Sequence, residues 1–183
     1  MDDIKRCVKE TIDAFGGLDG VIANAGWTRF SEFADLDSME DHEWDMCWHA
    51  QVLGPKRFVQ EALPTFKKNE EGGFVIITSS IAGQSIGGSS MPYSVTKCAQ
   101  IHLMKCIAKT QGPKLRINAV LPGLLMTDWG KRYSDDRVKA LKEASALKKD
   151  VSHFRLQPQS AFFTQLTLCH RPISQNVPTC MSR

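Results

Sequence analysis

No stretch of this 183-residue chain approaches the roughly 20 consecutive apolar residues that cross a bilayer, so no membrane partner is expected. Charge of one sign is equally scarce. Lys and Arg total 23 against 20 Asp and Glu, a formal net charge of only +3. Lys67-Lys68 and Lys148-Lys149 read as solvated helix ends, and no basic stripe marks a nucleic-acid surface. The six cysteines include no C-x-x-C pair, and Met1 is followed by Asp2-Asp3 rather than a signal peptide. Free thiols in a reducing, cytoplasmic setting are the expectation, with Cys106 packed rather than reactive. The five histidines lack ligand spacing. His42 and His49 have no companion cysteine or carboxylate set, so no metal site is expected. Glycine is absent after Gly130, and Pro158, Pro172 and Pro178 are scattered among Ser, Gln and Thr. Residues 151–183, whose one apolar cluster runs from Phe162-Phe163 to Leu166 and Leu168, therefore read as a poorly ordered tail on a domain spanning 1–150.

Within that domain the apolar residues are enough for one core. Gly73-Phe74-Val75-Ile76-Ile77-Thr78 is a β-branched apolar run behind a glycine pair, which reads as a buried strand. Arg116 to Val120 reads as another, running into Leu121-Pro122-Gly123. Leu18 to Ala23 gives a third, ending in Asn24-Ala25-Gly26. Helical segments separate them. Ile4, Val8, Ile12 and Phe15 form one apolar face, closed by Gly16-Gly17. Trp44 and Trp48 lie one turn apart on a second helix, which Gly54-Pro55 is expected to kink; it resumes at Lys56 and stops before Pro64. Asp135 to Lys149 carries Val138, Leu141, Ala144 and Leu147 at helical spacing. Strands alternating with helices predict an α/β fold with a doubly wound parallel sheet.

Chemistry concentrates in Tyr93-Ser94-Val95-Thr96-Lys97, with Ser80 thirteen residues upstream. Residues four apart share a helix face, so Tyr93 and Lys97 can reach one site. An isolated phenol titrates near pH ~10, and a fixed ammonium beside it favours the phenolate. A serine hydroxyl nearby can hold a carbonyl or alcohol oxygen against the phenol proton. Y-x-x-x-K alone recurs on many solvated helices. Here Ser79-Ser80-Ile81-Ala82-Gly83 follows a strand's C-terminal end, where open α/β sheets place their ligands.

Asn24-Ala25-Gly26, Ser80 with Ser79 and Gly83, Tyr93 to Lys97, and Pro122-Gly123 with Thr127 stand in an order and spacing that resemble the short-chain dehydrogenase/reductase family. The resemblance runs from about Asp2 to about Lys149. It implies hydride exchange between NAD or NADP and a small alcohol or carbonyl substrate, usually in a homo-oligomer. Tyr93 would be the general acid/base and would also contact the cofactor. Lys97 would lower its pKa and bind the nicotinamide ribose, and Ser80 would position the substrate oxygen. Asn24, Ala25 and Gly26 would stand beside the adenosine half, with Pro122, Gly123 and Thr127 against the nicotinamide. In the family, the helix after Trp44 and the Tyr93 helix form a four-helix dimer contact.

Two departures shape the expectation. The family's asparagine that links the lysine to solvent through a water is replaced, counting from Trp44-Asp45 to Gly54, by Gln51. The glycine-rich phosphate turn, expected N-terminal to all matched motifs, is not found, nor is the usual last strand. The Rossmann-like domain is thus expected to be incomplete at both ends. The alternative to a working oxidoreductase is an inactive isoform or paralogue that acts only by association. The Gln84–Met91 loop and the Leu124–Tyr133 segment are expected to line the substrate pocket through Ile86, Met91, Leu125, Met126 and Trp129.

Overall fold

The computed structural model describes residues 2–145 and Lys148. The tail expected over 151–183, and Leu147 of the expected last helix, lie outside the described residues.

Three strands form a parallel sheet in the order β1 (Gly20–Ala23), β2 (Gly73–Thr78), β3 (Leu115–Val120). The register places Val21 beside Val75 and Val75 beside Ile117, so each side-chain row continues across the sheet. Alternate residues of β2 and β3 are buried, the period-2 signature of a sheet with one face better covered than the other. The covered face, with Ala23, Val75, Ile77, Leu115, Ile117 and Ala119, packs under helix α3 (Gly54–Lys68) through Val59, Ala62 and Phe66 and under helix α4 (Met91–Gln111) through Ile101, Met104 and Ile107. Phe66 is fully buried and its ring fills the space over Gly73, where a Cβ would come within 2.2 Å of it. On the opposite face Phe74 lies over Gly20 in the same way, but Ile22 is 53% exposed. The fold is Rossmann-like and incomplete: the outer edge of β1 is unpaired among the described residues.

Helix α1 (Asp2–Phe15) packs on α3 with Val8 buried and ends at Gly16, whose φ of +76° suits a glycine at a helix C-terminus. Phe15, expected on the apolar face, is 73% exposed instead.

At Gly54-Pro55, where a kink is expected, the helix changes hydrogen-bond register without being interrupted. Helix α2 (Asp41–Trp48) continues through a π-helical turn, His49–Leu53, directly into α3. The Gly54 N–H donates to the His49 carbonyl, five residues back, so the extra residue in the turn absorbs the register shift ahead of Pro55. Pro64 sits inside α3, which runs on to Lys68. The buried face with Ala62 and Phe66 holds the helix through the lost hydrogen bond. The last described helix, α5, is Asp135–Ala144, capped by the Ser134 hydroxyl.

Candidate active site

All three strands deliver their C-terminal ends to one edge of the sheet: Asn24 after β1, Ser79-Ser80 after β2, and Leu121-Pro122 after β3. A parallel sheet requires this, and it is why residues nearly a hundred apart in sequence can share a site.

Ser80 is buried and caps a 3₁₀ turn, Ile81–Gly83, accepting from the Ala82 N–H at 3.1 Å. This turn is riveted to α4. Ser94 donates its hydroxyl to the Ala82 carbonyl at 2.7 Å, and Ser79 donates to the Lys97 carbonyl at 3.0 Å. Gly83 lies so close to the helix that a Cβ there would meet the Lys97 carbonyl carbon at 2.7 Å and the Cys98 nitrogen at 2.9 Å. The glycine is needed for the approach that brings Ser80 beside Tyr93. Helix α4 begins immediately before it, with Ser90 as N-cap accepting from the Tyr93 N–H and Pro92 in the first turn.

Tyr93 is half-buried, and burial pushes its phenol up from the ordinary value; the Ser80 hydroxyl opposes this by hydrogen bonding. Lys97 is 3% exposed. Its Nζ donates to the Thr78 carbonyl at 2.7 Å and more weakly to Gln100 at 3.4 Å, and it lies 5.5 Å from the centre of the Tyr93 ring. Burial lowers its pKa to about 8. The sequence predicts a phenol lowered by the ammonium; here burial dominates, and the phenol lies above its ordinary value.

Asn24, Ala25 and Gly26 are exposed, and the Cβ position of Gly26 is 3.8 Å from the Lys97 Nζ with no side chain between. Pro122 accepts from the Ile81 N–H at 3.1 Å, and Gly123 packs on Ile81. Thr127 closes the following loop, accepting from the Gly130 N–H at its hydroxyl and from the Lys131 N–H at its carbonyl.

Gln51 is fully buried in the π turn, and its amide is spent. Its Nε2 donates to the Trp27 carbonyl at 3.0 Å and the Thr96 hydroxyl at 3.2 Å, while its Oε1 accepts from the Trp27 N–H. The geometry makes it a staple between the loop after β1 and helix α4. Gln51→Leu is expected to leave the Trp27 N–H unpaired and to take one partner each from the Trp27 carbonyl and the Thr96 hydroxyl, at a cost of ~1–3 kcal/mol. Gln51→Asn, one methylene shorter, should lose most of the same bonds. Urea unfolding of both variants checks this, and a wild-type midpoint in either would show that the staple carries nothing.

The sequence did not point to the segment Trp27–Ser31 as part of the site. Thr28 shares hydrogen bonds with the hydroxyls of Ser89 (2.8 Å) and Ser90 (3.0 Å), and the Ser31 N–H donates to the Ser89 carbonyl at 2.9 Å. Arg29 is held by Glu43, 2.7 Å from its Nη2, and this pulls the Glu43 carboxyl down to about 2. Phe30 packs against Trp129 and Tyr133, with centroids 5.1 and 4.9 Å apart. These residues border a cavity of about 660 Å³. Of the five residues expected to line the substrate pocket, Trp129 borders this cavity and Ile86, Met91, Leu125 and Met126 do not; Ile86 is 96% exposed. Cys106, expected to be packed, is also exposed, as are Cys7 and Cys98.

The family model for enoyl-(acyl carrier protein) reductases matches residues 1–163. The 3-oxoacyl-(acyl-carrier-protein) reductase FabG of Staphylococcus aureus is 31% identical over 136 residues, 74% of this chain and 54% of that protein. Human dehydrogenase/reductase SDR family member 4 is 29% identical over 151 residues, 81% of this chain and 53% of its own. The X-ray structure of an alcohol dehydrogenase from the archaeon Thermococcus sibiricus, complexed with 5-hydroxy-NADP, superposes with a TM-score of 0.62 at 25% identity, over 70% of this chain and 52% of that one. The chain spans about half the length of the curated relatives it matches. With Ser80, Tyr93 and Lys97 gathered at the C-terminal edge of a parallel sheet and these matches running through all of them, the chain belongs to the short-chain dehydrogenase/reductase family.

Proposed function

We propose that this chain bears the acid/base half of an oxidoreductase that interconverts an alcohol and a ketone or aldehyde with NAD or NADP. One observation carries the reading: half-buried Tyr93 stands at the end of β2 on the helix riveted to the Ser80 turn, with the Lys97 ammonium 5.5 Å from its ring centre. Ser80 holds the substrate oxygen, and Tyr93 gives that oxygen its proton as the carbonyl is reduced. Lys97 backs the phenolate that remains. When bound, a reduced nicotinamide would supply the hydride, which no side chain can. The residues present suit that end of a dinucleotide. The open space at Gly26 beside the Lys97 ammonium would admit a ribose, and Pro122, Gly123 and Thr127 would border the ring.

Homo-oligomerisation belongs to the same proposal. Met46, Trp48 and Val95 present exposed apolar side chains on α2 and α4, which pack against one another. Surface thiols at Cys7, Cys98 and Cys106 suit a reducing cytoplasm.

A second reading, that the chain acts only by associating with other subunits, is favoured by the exposed Ile22 and the unpaired edge of β1. Thermal unfolding of the purified chain with increasing NADH or NADPH separates the two. At a cofactor concentration of ~100 Kd the melt should rise by roughly 5–10 °C. A melt unmoved by either cofactor would leave association as the function.

A further inference from the structure

Ser80 and Tyr93 decide what happens at one oxygen of the substrate; the cavity lined by Phe30, Trp129 and Arg132 does not include them, but Tyr133 stands between it and Tyr93. Phe30 sits between Trp129 and Tyr133, an aromatic platform at the cavity wall. Tyr133 is close enough to Tyr93 for a charge on one to raise the pKa of the other, so the platform extends to the reacting end. Basic residues ring this platform, and they are not equivalent. Arg29 has its fork committed to Glu43 and the Ser38 carbonyl, and Lys131 is paired with Asp128. Arg132 has no carboxylate partner among the described residues. Its guanidinium lies 4.8 Å from the Trp129 ring centre, with its remaining donors at the surface. Arg137 is likewise without an ion-pair partner there. Its Nη2 lies 3.8 Å from the Cβ position of Gly87, and Gly88, the next residue, has its own Cβ position 3.1 Å from the Tyr93 ring. A flat apolar wall with two unspent guanidinium groups, one stacked on the wall and one over the turn that touches Tyr93, is complementary to a flat anion.

We propose that the substrate is an aromatic ketone or alcohol bearing a carboxylate. Its ring lies on the Phe30–Trp129 platform, its carboxylate is taken by Arg132 and Arg137, and its carbonyl or alcohol oxygen reaches Ser80 and Tyr93. This rests on the oxidoreductase reading above and leaves the reaction unchanged: the carbonyl carbon gains a hydride from the reduced dinucleotide and its oxygen gains the Tyr93 proton. Guanidinium is the group suited to both halves of such a ligand, since it stacks on rings and binds carboxylates through two parallel hydrogen bonds.

The test is direct binding of 3-acetylbenzoate and its neutral counterpart 3-acetylbenzamide to the full chain, by calorimetry without dinucleotide. The carboxylate should bind ~5-fold more tightly at low salt, with the preference shrinking as salt rises. Arg132→Gln with Arg137→Gln should abolish the preference, and both residues are exposed enough to be replaced without loss of fold. Trp129→Leu should weaken both probes alike, and Tyr93→Phe, which removes a hydroxyl the carbonyl oxygen of either probe reaches, should leave the ratio of their affinities unchanged. Equal affinities, binding of neither probe, or a preference that survives loss of both arginines would overturn the proposal. Because binding is read without turnover, the two readings fail separately. A carboxylate preference in a chain with no reductase activity sinks only the enzyme, and turnover with no preference sinks only the anionic substrate.

Discussion

Tyr93→Phe should lower turnover of any ketone the wild-type chain reduces by ~10²–10⁴-fold, the range for a positioned general acid. The Ser80 hydroxyl acts on the phenol by hydrogen bonding, and the neighbouring α4 hydroxyls have their protons committed elsewhere. Ser94 gives its own proton to the Ala82 carbonyl, and Thr96 gives its to Pro92. Ser80 could donate, but an isolated serine is far too weak an acid to do so without the phenol beside it. The variant should fold normally, because the only group that loses a partner is the Ser80 hydroxyl, which keeps its bond to the Ala82 N–H. Cofactor affinity should be little changed, since Lys97 and the Gly26 side of the site are untouched. Ser80→Ala should lower turnover more gently, also with cofactor affinity retained. Steady-state kinetics with a binding measurement checks both, and near wild-type turnover in Tyr93→Phe would move the acid elsewhere.

How much of this was legible in advance depends on the range of the interaction. The strand Gly73–Thr78 announced itself because β-branched residues and a glycine pair are local signals, and the parallel order followed from alternation alone. Tyr93 and Lys97 were placed by helix periodicity, and Ser80 by its position after a strand. Each needed only its own neighbourhood. Ile86 misled because an isoleucine in a loop reads as buried, while its turn projects it into solvent. Pro64 misled because proline's local cost was counted without Ala62 and Phe66, whose burial against the sheet offsets it. Trp27–Ser31 escaped for the opposite reason. Nothing in that stretch is unusual locally, and its role depends on bonds to Ser89, Ser90 and Gln51 made 24 to 62 positions away. Gln51 was found by counting to a family position, but its work is with Trp27 and Thr96, which counting does not reveal.

Lys97 should make this chain more stable as pH rises through the range where most proteins begin to lose stability. Its folded pKa is lowered by burial from 10.5 to about 8. Below pH 8 the lysine is charged in both states, so the folded state bears the whole desolvation penalty. Between about 8 and 10.5 the unfolded chain holds more protons than the folded one, and stability must increase with pH. The full gain is on the order of 3 kcal/mol, and about 2 kcal/mol of it should appear by pH ~9.5. Two buried acids act against it. The Cys47 thiol and the Tyr93 phenol both have raised pKa values, so their contribution falls as pH climbs past their ordinary values. Subtracting the profile of Lys97→Met removes the Cys47 contribution, and Tyr93 adds little below pH ~9.5, where a phenol at or above its ordinary value of ~10 stays mostly protonated in both states. The difference between the two urea-unfolding profiles, measured from pH 7 to 9.5, should therefore rise with a slope below one proton. Lys97→Met itself should be inactive, having lost the ammonium behind Tyr93, yet no less stable than wild type at neutral pH, because the lost bond to Thr78 is offset by the removed penalty. A flat difference would mean that Lys97 reaches water and titrates as an ordinary surface lysine. In that event its ammonium would not be held at the edge of the sheet, and the phenolate left on Tyr93 after proton transfer would have no fixed counter-charge.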